Sequence, residues 1–207
     1  MKLGLLTDIH SHAANLRAAL DRLRAERVDQ IIVIGDVVDL FGRQKHVEET
    51  CRLLTEARAV GVWGNHDYGL CVDPDESVRA KYPPAALDFM GSLRPRLEVA
   101  GCFISHVEPW LNPEYMPDLW YGGGPPQTPE QLARVFSAVP HRAIFGGHYH
   151  VWHATTPDHV RHWDGKAPIA FGDDRHYVVV NALSEGNFAV YDTSTAELVP
   201  MTTRHVA

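Results

Sequence analysis

Two histidines one residue apart, His148 and His150, stand directly behind Gly146-Gly147 at the end of a short apolar run. In an extended segment side chains two apart face the same way, so the pair can address one metal ion or two neighbouring ones. Alone, such a pair is as well explained by two solvated loop residues in a chain with 13 histidines. Four further blocks change that reading: Asp8-Ile9-His10, Gly35-Asp36-Val37-Val38-Asp39, Gly64-Asn65-His66-Asp67 and Ser105-His106. Each follows directly on an apolar, strand-like run. Together the blocks supply Asp8, His10, Asp36, Asn65, His106, His148 and His150, a mixture of carboxylate, amide and imidazole. Oxygen and nitrogen donors without thiolates suit Mn²⁺, Fe, Zn²⁺ or Ni²⁺ better than Ca²⁺, and are unlike a structural zinc site. That is too many donors for one tetrahedral ion. Two divalent ions about 3.5–4 Å apart, bridged by a carboxylate and a hydroxide, would use them all and would clamp an in-line displacement at phosphorus.

The elements that must position these donors are legible from periodicity. Residues 2–7 form a buried strand that delivers Asp8 and His10 at its end, and Gln30-Ile31-Ile32-Val33-Ile34 does the same for Asp36. Val60-Gly61-Val62-Trp63 leads into Asn65 and His66. Apolar residues spaced three and four apart predict helices over 13–26 and 45–58 that pack on this sheet. Residues 74–94 read as helical but broken at Pro83-Pro84, which opens a new helix. Residues 97–99 and 102–105 read as a hairpin ending on His106. A short helix over 129–138 and a strand over 143–145 then lead to the paired histidines. The rest reads as antiparallel strands over 151–155, 160–163, 169–171, 177–182, 188–192 and 198–202. Residues 107–128 differ, being rich in proline, glycine and aromatics without a period. An irregular stretch of that length inside a compact domain is usually functional, and the aromatics argue against disorder.

At 207 residues the chain is expected to form one domain with a sizeable core, and its 45% hydrophobic and 22% charged content is that of an ordinary globular protein. A formal charge of -7 argues against long nucleic acid as a partner. The cysteines (Cys51, Cys71 and Cys102) are odd in number and lack zinc-ribbon spacing, which points to reduced thiols. No run is long enough to span a membrane or to form a signal-peptide core. A cytoplasmic protein is expected.

In order, the five blocks match the pattern DxH, GDxxD, GNH[DE], H and GHxH, and on this ground the chain resembles the calcineurin-like metallophosphoesterase superfamily, in particular its small bacterial phosphodiesterase-like branch. The resemblance spans residues 3 to about 193, and the stretch 177–192 looks like the family's closing hairpin. It implies a four-layer α-β-β-α sandwich of two mixed sheets flanked by helices. It also implies that Asp8, His10 and His150 hold one metal ion, that Asn65, His106 and His148 hold the other, and that Asp36 bridges them. Manganese is the expected metal, with Fe, Zn or Ni as substitutes. The implied reaction is attack of a metal-bridging hydroxide on a small phosphodiester or phosphomonoester, with His66 contacting the phosphoryl oxygen or protonating the leaving group.

Some positions depart from the pattern. Ser11-His12 stands where many relatives have Gly-Asn, so His12 is a candidate substrate contact beside Asn65; the alternative is a solvated neighbour of a helix start. The GDVVDLFGR block lacks the arginine that marks protein Ser/Thr phosphatases directly after the second Asp, although Arg43 remains a candidate phosphate donor. Asp39 and Asp67 read as supports for the ligands or as ordinary turn residues. The other classes weighed are an inactive scaffold of the same fold that binds proteins, disfavoured by the presence of His66, and an amidohydrolase, disfavoured because its HxH lies near the N-terminus of a longer barrel. The expected partner is a small phosphorylated substrate, with a homo-oligomer also open.

Overall fold

The protein is described from a computed structural model that covers residues 1–39 and 46–203. Arg43 therefore lies outside the described residues. Strands β1 (Lys2–Leu6), β2 (Gln30–Ile34) and β3 (Val60–Val62) pair in parallel. Parallel strands need crossovers, which helices α1 (Ala13–Ala25) and α2 (Val47–Glu56) supply. Short helices α3 (Tyr68–Cys71) and α4 (Glu76–Arg79) precede α5 (Pro84–Ser92), with a proline in its first turn as expected. The second sheet starts with the hairpin β4 (Leu97–Val99) and β5 (Cys102–Ile104). One helical turn, α6 (Met116–Leu119), interrupts the aromatic segment. Helix α7 (Pro129–Ala138) opens on a capping box, Thr128 with Gln131, and leads to β6 (Ala143–Gly146). Then come β7 (His153–Thr155), β8 (Ile169–Ala170), β9 (His176–Val179), β10 (Asn187–Asp192) and β11 (Glu197–Thr202). The strand orders are β3-β2-β1-β10-β11-β8 and β4-β5-β6-β9-β7, so both sheets are mixed.

Alternation along the strands sorts their side chains into layers. Leu3, Leu5, Ile32 and Ile34 of the first sheet meet Ile104, Phe145 and Val178 of the second. The residues between them face outward: Leu6, Ile31 and Val33 pack with Leu16, Leu23 and Leu54 of α1 and α2, while Phe103, Ile144 and Tyr177 pack with Val135 and Phe136 of α7. Strands buried on both faces read as continuous apolar runs, which is why the sequence shows no polar alternation there. Phe145 is fully buried between the sheets, and truncating such a ring to Ala typically costs about 3–5 kcal/mol. The result is the expected α-β-β-α arrangement of two mixed sheets flanked by helices.

The C-terminal third departs from expectation. Residues 160–163 form no strand: Val160 makes one isolated bridge to Thr155, and the Trp163 amide donates to the Arg161 carbonyl and not across a ladder. Strand β9 is not antiparallel to its inner neighbour but pairs in parallel with β6. The expected closing hairpin over 177–192 is divided between the sheets, with β9 in one and β10 in the other. A 3-10 turn over Leu183–Glu185, closed by Gly186 at φ 91°, carries the chain across. No helix among the described residues is long and apolar enough to cross a membrane.

Candidate metal centre

Every sequence-predicted donor follows the C-terminal end of a strand: Asp8 and His10 after β1, Asp36 after β2, Asn65 after β3, His106 after β5, His148 and His150 after β6. To turn back over the sheet edge within two or three residues, the backbone enters the left-handed region at Asp8 (φ 50°), His10 (46°), Ser11 (58°), Asp36 (51°), His148 (75°) and His150 (53°). Each non-glycine residue held there costs roughly 1–3 kcal/mol and persists only where its surroundings fix it. The paired histidines thus do not owe their direction to extended-strand alternation, as the sequence suggested. Two left-handed residues flank Tyr149 and send the imidazoles to different neighbours.

The donors gather in two groups. Asp8, His10 and His150 offer ligand atoms within 4.8 Å of one another. His150 Nε2 lies 3.2 Å from His10 Nε2 and 3.3 Å from Asp8 Oδ1. In the second group, Asn65 Oδ1 lies 3.1 Å from His106 Nε2 and 3.0 Å from His148 Nδ1. Asp36 belongs to both: its Oδ2 is 3.8 Å from His10 Nε2 and 3.4 Å from His106 Nε2, while its Oδ1 accepts the His66 backbone N–H at 2.9 Å. Asp8, Asp36 and His106 also fall within 4.8 Å of each other. Asp8 Oδ1 is buried without a hydrogen-bond partner, and the His10 and His150 Nε2 atoms converge beside it. A buried orphan oxygen amid converging nitrogen and oxygen donors fits a cation.

Outer contacts aim the candidate donors. His106 Nδ1 donates to the Ile34 carbonyl (2.7 Å) and His148 Nε2 to the Tyr121 carbonyl (2.9 Å), which leaves the opposite nitrogen of each ring facing the donors. Thr7 Oγ1 donates to Asp8 Oδ2 at 2.7 Å. Asp67, left open between support and turn residue, accepts the backbone N–H groups of Val37, Val38 and Gly64, tying the loops after β2 and β3 together. Burial, and then Asp36, push its carboxyl up to about 7. Close approach also explains two motif glycines: a Cβ at Gly64 would collide with Asp36 Oδ1, and one at Gly147 with Thr7 Oγ1. Burial depresses His10 and His148, which favours neutral rings with available lone pairs. Burial would depress His106 too, but the Asp36 carboxylate outweighs it and lifts that ring to about 10. Asp36 is in turn held below the usual carboxylate range: its burial opposes this, and His106 overrides it.

A cleft of about 500 Å³ opens over both groups, lined by their exposed edges and by His12, Asp39, His66, Trp120 and Ser184. His66 Nδ1 lies 3.4 Å from Asp39 Oδ1, and the His66 ring stands 4.8 Å from that of His10 and 5.3 Å from that of Trp120. Of the aromatic residues in the irregular segment 107–128, only Trp120 among the described residues lines this cleft. Trp110 instead lies under the Arg134 guanidinium at 4.8 Å and packs on the core, while Tyr115 is exposed. Sequence reasoning missed Ser184 and Glu185, whose Oε1 is 3.8 Å from His150 Nδ1; both arrive on the turn after β9, which no ligand motif marks. It also missed the Tyr121 carbonyl, because backbone acceptors leave no residue-type signal.

The model of the calcineurin-like phosphoesterase superfamily domain matches residues 1–185. A phosphodiesterase of Methanocaldococcus jannaschii is 34% identical over 71 residues, which are 34% of this chain and 39% of that protein. An uncharacterized protein of the same organism is 31% identical over 68 residues, 33% of this chain and 27% of that one. The matched stretch is thus well under two thirds of either relative. Among solved structures, a metallophosphoesterase from Sphaerobacter thermophilus superposes with a TM-score of 0.77 at 20% identity, over 99% of this chain and 88% of that one. An archaeal phosphodiesterase gives 0.55 at 17% identity, over 98% and 99%. At such identities these two likenesses speak for the fold. With the family model covering most of the chain and two mixed sheets flanked by helices in place, the chain belongs to the calcineurin-like phosphoesterase superfamily.

Proposed function

We propose that the chain is a dinuclear metal-dependent phosphoesterase acting on a small phosphodiester, with a phosphomonoester as the lesser substrate. The observation that carries this reading is Asp36 Oδ2, which faces His10 of one donor group and His106 of the other. One oxygen aimed at two clusters of nitrogen and oxygen donors suits a bridging ligand. Asp8, His10 and His150 would hold one ion, and Asn65, His106 and His148 the second, with Mn²⁺ the first choice and Fe, Zn or Ni substitutes. When bound, the ions supply an acidified water as nucleophile and draw charge from the phosphoryl oxygens.

The protein's own groups supply orientation and proton handling. His66 lines the cleft with Asp39 beside its Nδ1, an arrangement suited to a ring that contacts a phosphoryl oxygen or hands a proton to the leaving group. Asn65 and His12 face the same cleft and would contact the substrate. Arg43 would do so from outside the described residues. Trp120 beside His66 offers a face for the leaving group. The cytoplasm is the compartment we propose, in keeping with free cysteines whose buried thiols at Cys51 and Cys102 are pushed up to about 12.

The test is metal-depleted protein reloaded with Mn²⁺, Fe²⁺, Zn²⁺ or Ni²⁺ and assayed on paired chromogenic diesters and monoesters. Faster turnover of the diester with at least one ion is expected. Uptake of ions without turnover of either ester would favour a protein-binding scaffold, and no uptake at all would sink the proposal.

A further inference from the structure

Behind the donors lies a polar pair that the proposed reaction does not use. Glu108, two residues after His106, is fully buried. Its Oε1 accepts a hydrogen bond from the Tyr149 hydroxyl at 2.6 Å, and its Oε2 has no hydrogen-bond partner. Tyr149 is the residue between His148 and His150. While those imidazoles reach the donor groups, the tyrosine ring packs on the cluster that holds Phe103, Phe136, Ile144 and Tyr177, on the far side of the second sheet.

We infer that the hydrogen bond between Glu108 and Tyr149 positions the metal-ligand histidines, by anchoring the strained turn that carries His148 and His150 to the segment that carries His106. The inference rests on the metal-centre reading above. Two left-handed residues in three are unfavourable unless something over-determines them, and the residue between them is where an anchor would act on both. Its backbone N–H closes a tight turn onto the Gly147 carbonyl, so the side chain must supply the longer-range tie. The Gly147 N–H donates to the His106 carbonyl at 3.0 Å, and the Glu108 bond repeats that link between the same two segments on the opposite side of the turn. Filling the core does not by itself explain a carboxyl at this place. A leucine would pack without desolvation, whereas Glu108 keeps one oxygen buried and unpartnered, and the neighbouring Tyr177 hydroxyl is likewise buried without a partner. Polar groups retained at such cost are expected where orientation matters more than stability.

The experiment is calorimetric titration of metal-depleted wild type, Tyr149→Phe, Glu108→Gln, Glu108→Leu and the Tyr149→Phe/Glu108→Leu double variant with Mn²⁺, alongside the melting temperature of each metal-free protein. Tyr149→Phe and Glu108→Leu are expected to weaken ion binding about 10-fold, the lower end of the loss when a direct partner of a ligand is removed, because this bond acts through the turn and not on a ligand itself. Glu108→Gln still offers an amide oxygen to the hydroxyl and should stay within about threefold of wild type. The double variant should bind no more weakly than either single one, because both remove the same bond. A lowered melting temperature with wild-type affinity in Tyr149→Phe would make the pair mere core polarity and overturn the inference. Equal losses in Glu108→Gln and Glu108→Leu would also overturn it. A wild type that takes up no ion would instead refute the metal centre itself.

Discussion

The two halves of the cleft are built to different standards. Asn65 and His106 are buried, and each imidazole of their group has its outer nitrogen held by a backbone carbonyl, Ile34 for His106 and Tyr121 for His148. In the other half the His10 and His150 side chains are 13% and 35% exposed. His150 is backed only distantly, by the exposed Glu185 carboxylate at 3.8 Å. Backbone acceptors cannot swing away, whereas surface carboxylates are solvated and screened. We therefore propose that the Asn65, His106 and His148 group is the better preorganised seat, and that the more exposed His10 and His150 side of the other group exchanges its ion more readily.

The strongest way to break this comparison is to remove what the halves share. Asp36→Asn should lower ion affinity at both positions by more than about 10²-fold and abolish turnover with them, whereas His150→Ala should weaken chiefly one. Elemental analysis after dialysis decides it: an Asp36→Asn protein that keeps as many ions as wild type rules out the shared ligand. Next in size is His66→Ala, which touches the open half without being one of its proposed ligands. Ion content should be unchanged, and kcat should drop by roughly 10²–10⁴, less for esters with good leaving groups. A uniform loss across leaving groups would assign His66 to phosphoryl-oxygen contact.

A smaller effect sharpens the buried half alone, in metal-free protein. His106 is raised to about 10 beside Asp36, so its share of stability is fully present below the ordinary histidine value of 6.5 and is lost as pH rises through about 10. Asp36 is lowered from 3.8, so its share is present above that value and is lost as pH falls below it. Between pH 6.5 and 10 the chelated wild type should lose about 4–8 °C in Tm, which corresponds to roughly 2 kcal/mol in a domain of this size. Chelated His106→Ala should lack that decline, and an unchanged slope would show that the pair is not coupled. The smallest effect concerns the rim. Trp120→Ala should raise KM several-fold for a bulky aromatic diester and leave Tm nearly unchanged. Trp110→Ala, under Arg134 and against the core, should lower Tm and treat large and small esters alike. Equal behaviour of the two variants would remove the distinction between rim and core.

What the sequence made legible follows the same division. Donors such as Asp8, Asp36 and His106 are written as residue types at strand ends, and the doubly buried strands announce themselves as apolar runs. The seat around them is written largely in backbone. The carbonyls of Ile34 and Tyr121 could have come from any residue, so no reading of side chains could find them. Glu185 was invisible for another reason: the segment that carries it crosses between sheets, and a hairpin assigned over 177–192 would place it elsewhere. The four-residue run at 160–163 misled because its valine and tryptophan mimic a strand while local hydrogen bonds turn the chain; the Trp163 amide donates to the Arg161 carbonyl and its indole to the Ala167 carbonyl, four residues on, at 2.7 Å. The aromatic segment was recognisable as unusual, but which ring faces the cleft depends on where the helical turn at Met116–Leu119 falls.

The left-handed backbone at Asp8, His10, Asp36, His148 and His150 has a bearing on how such a chain drifts under mutation. At each of these positions glycine would relieve backbone strain while deleting a donor. Stability and chemistry therefore pull in opposite directions at the same residues, and a lineage released from the need for the centre would slide downhill towards glycine there. This chain still carries a donor at all five. Substitution of His150 by Gly would expose that gradient, as a molecule that melts higher than its parent when both are chelated and, on the proposed assignment, binds metal more weakly.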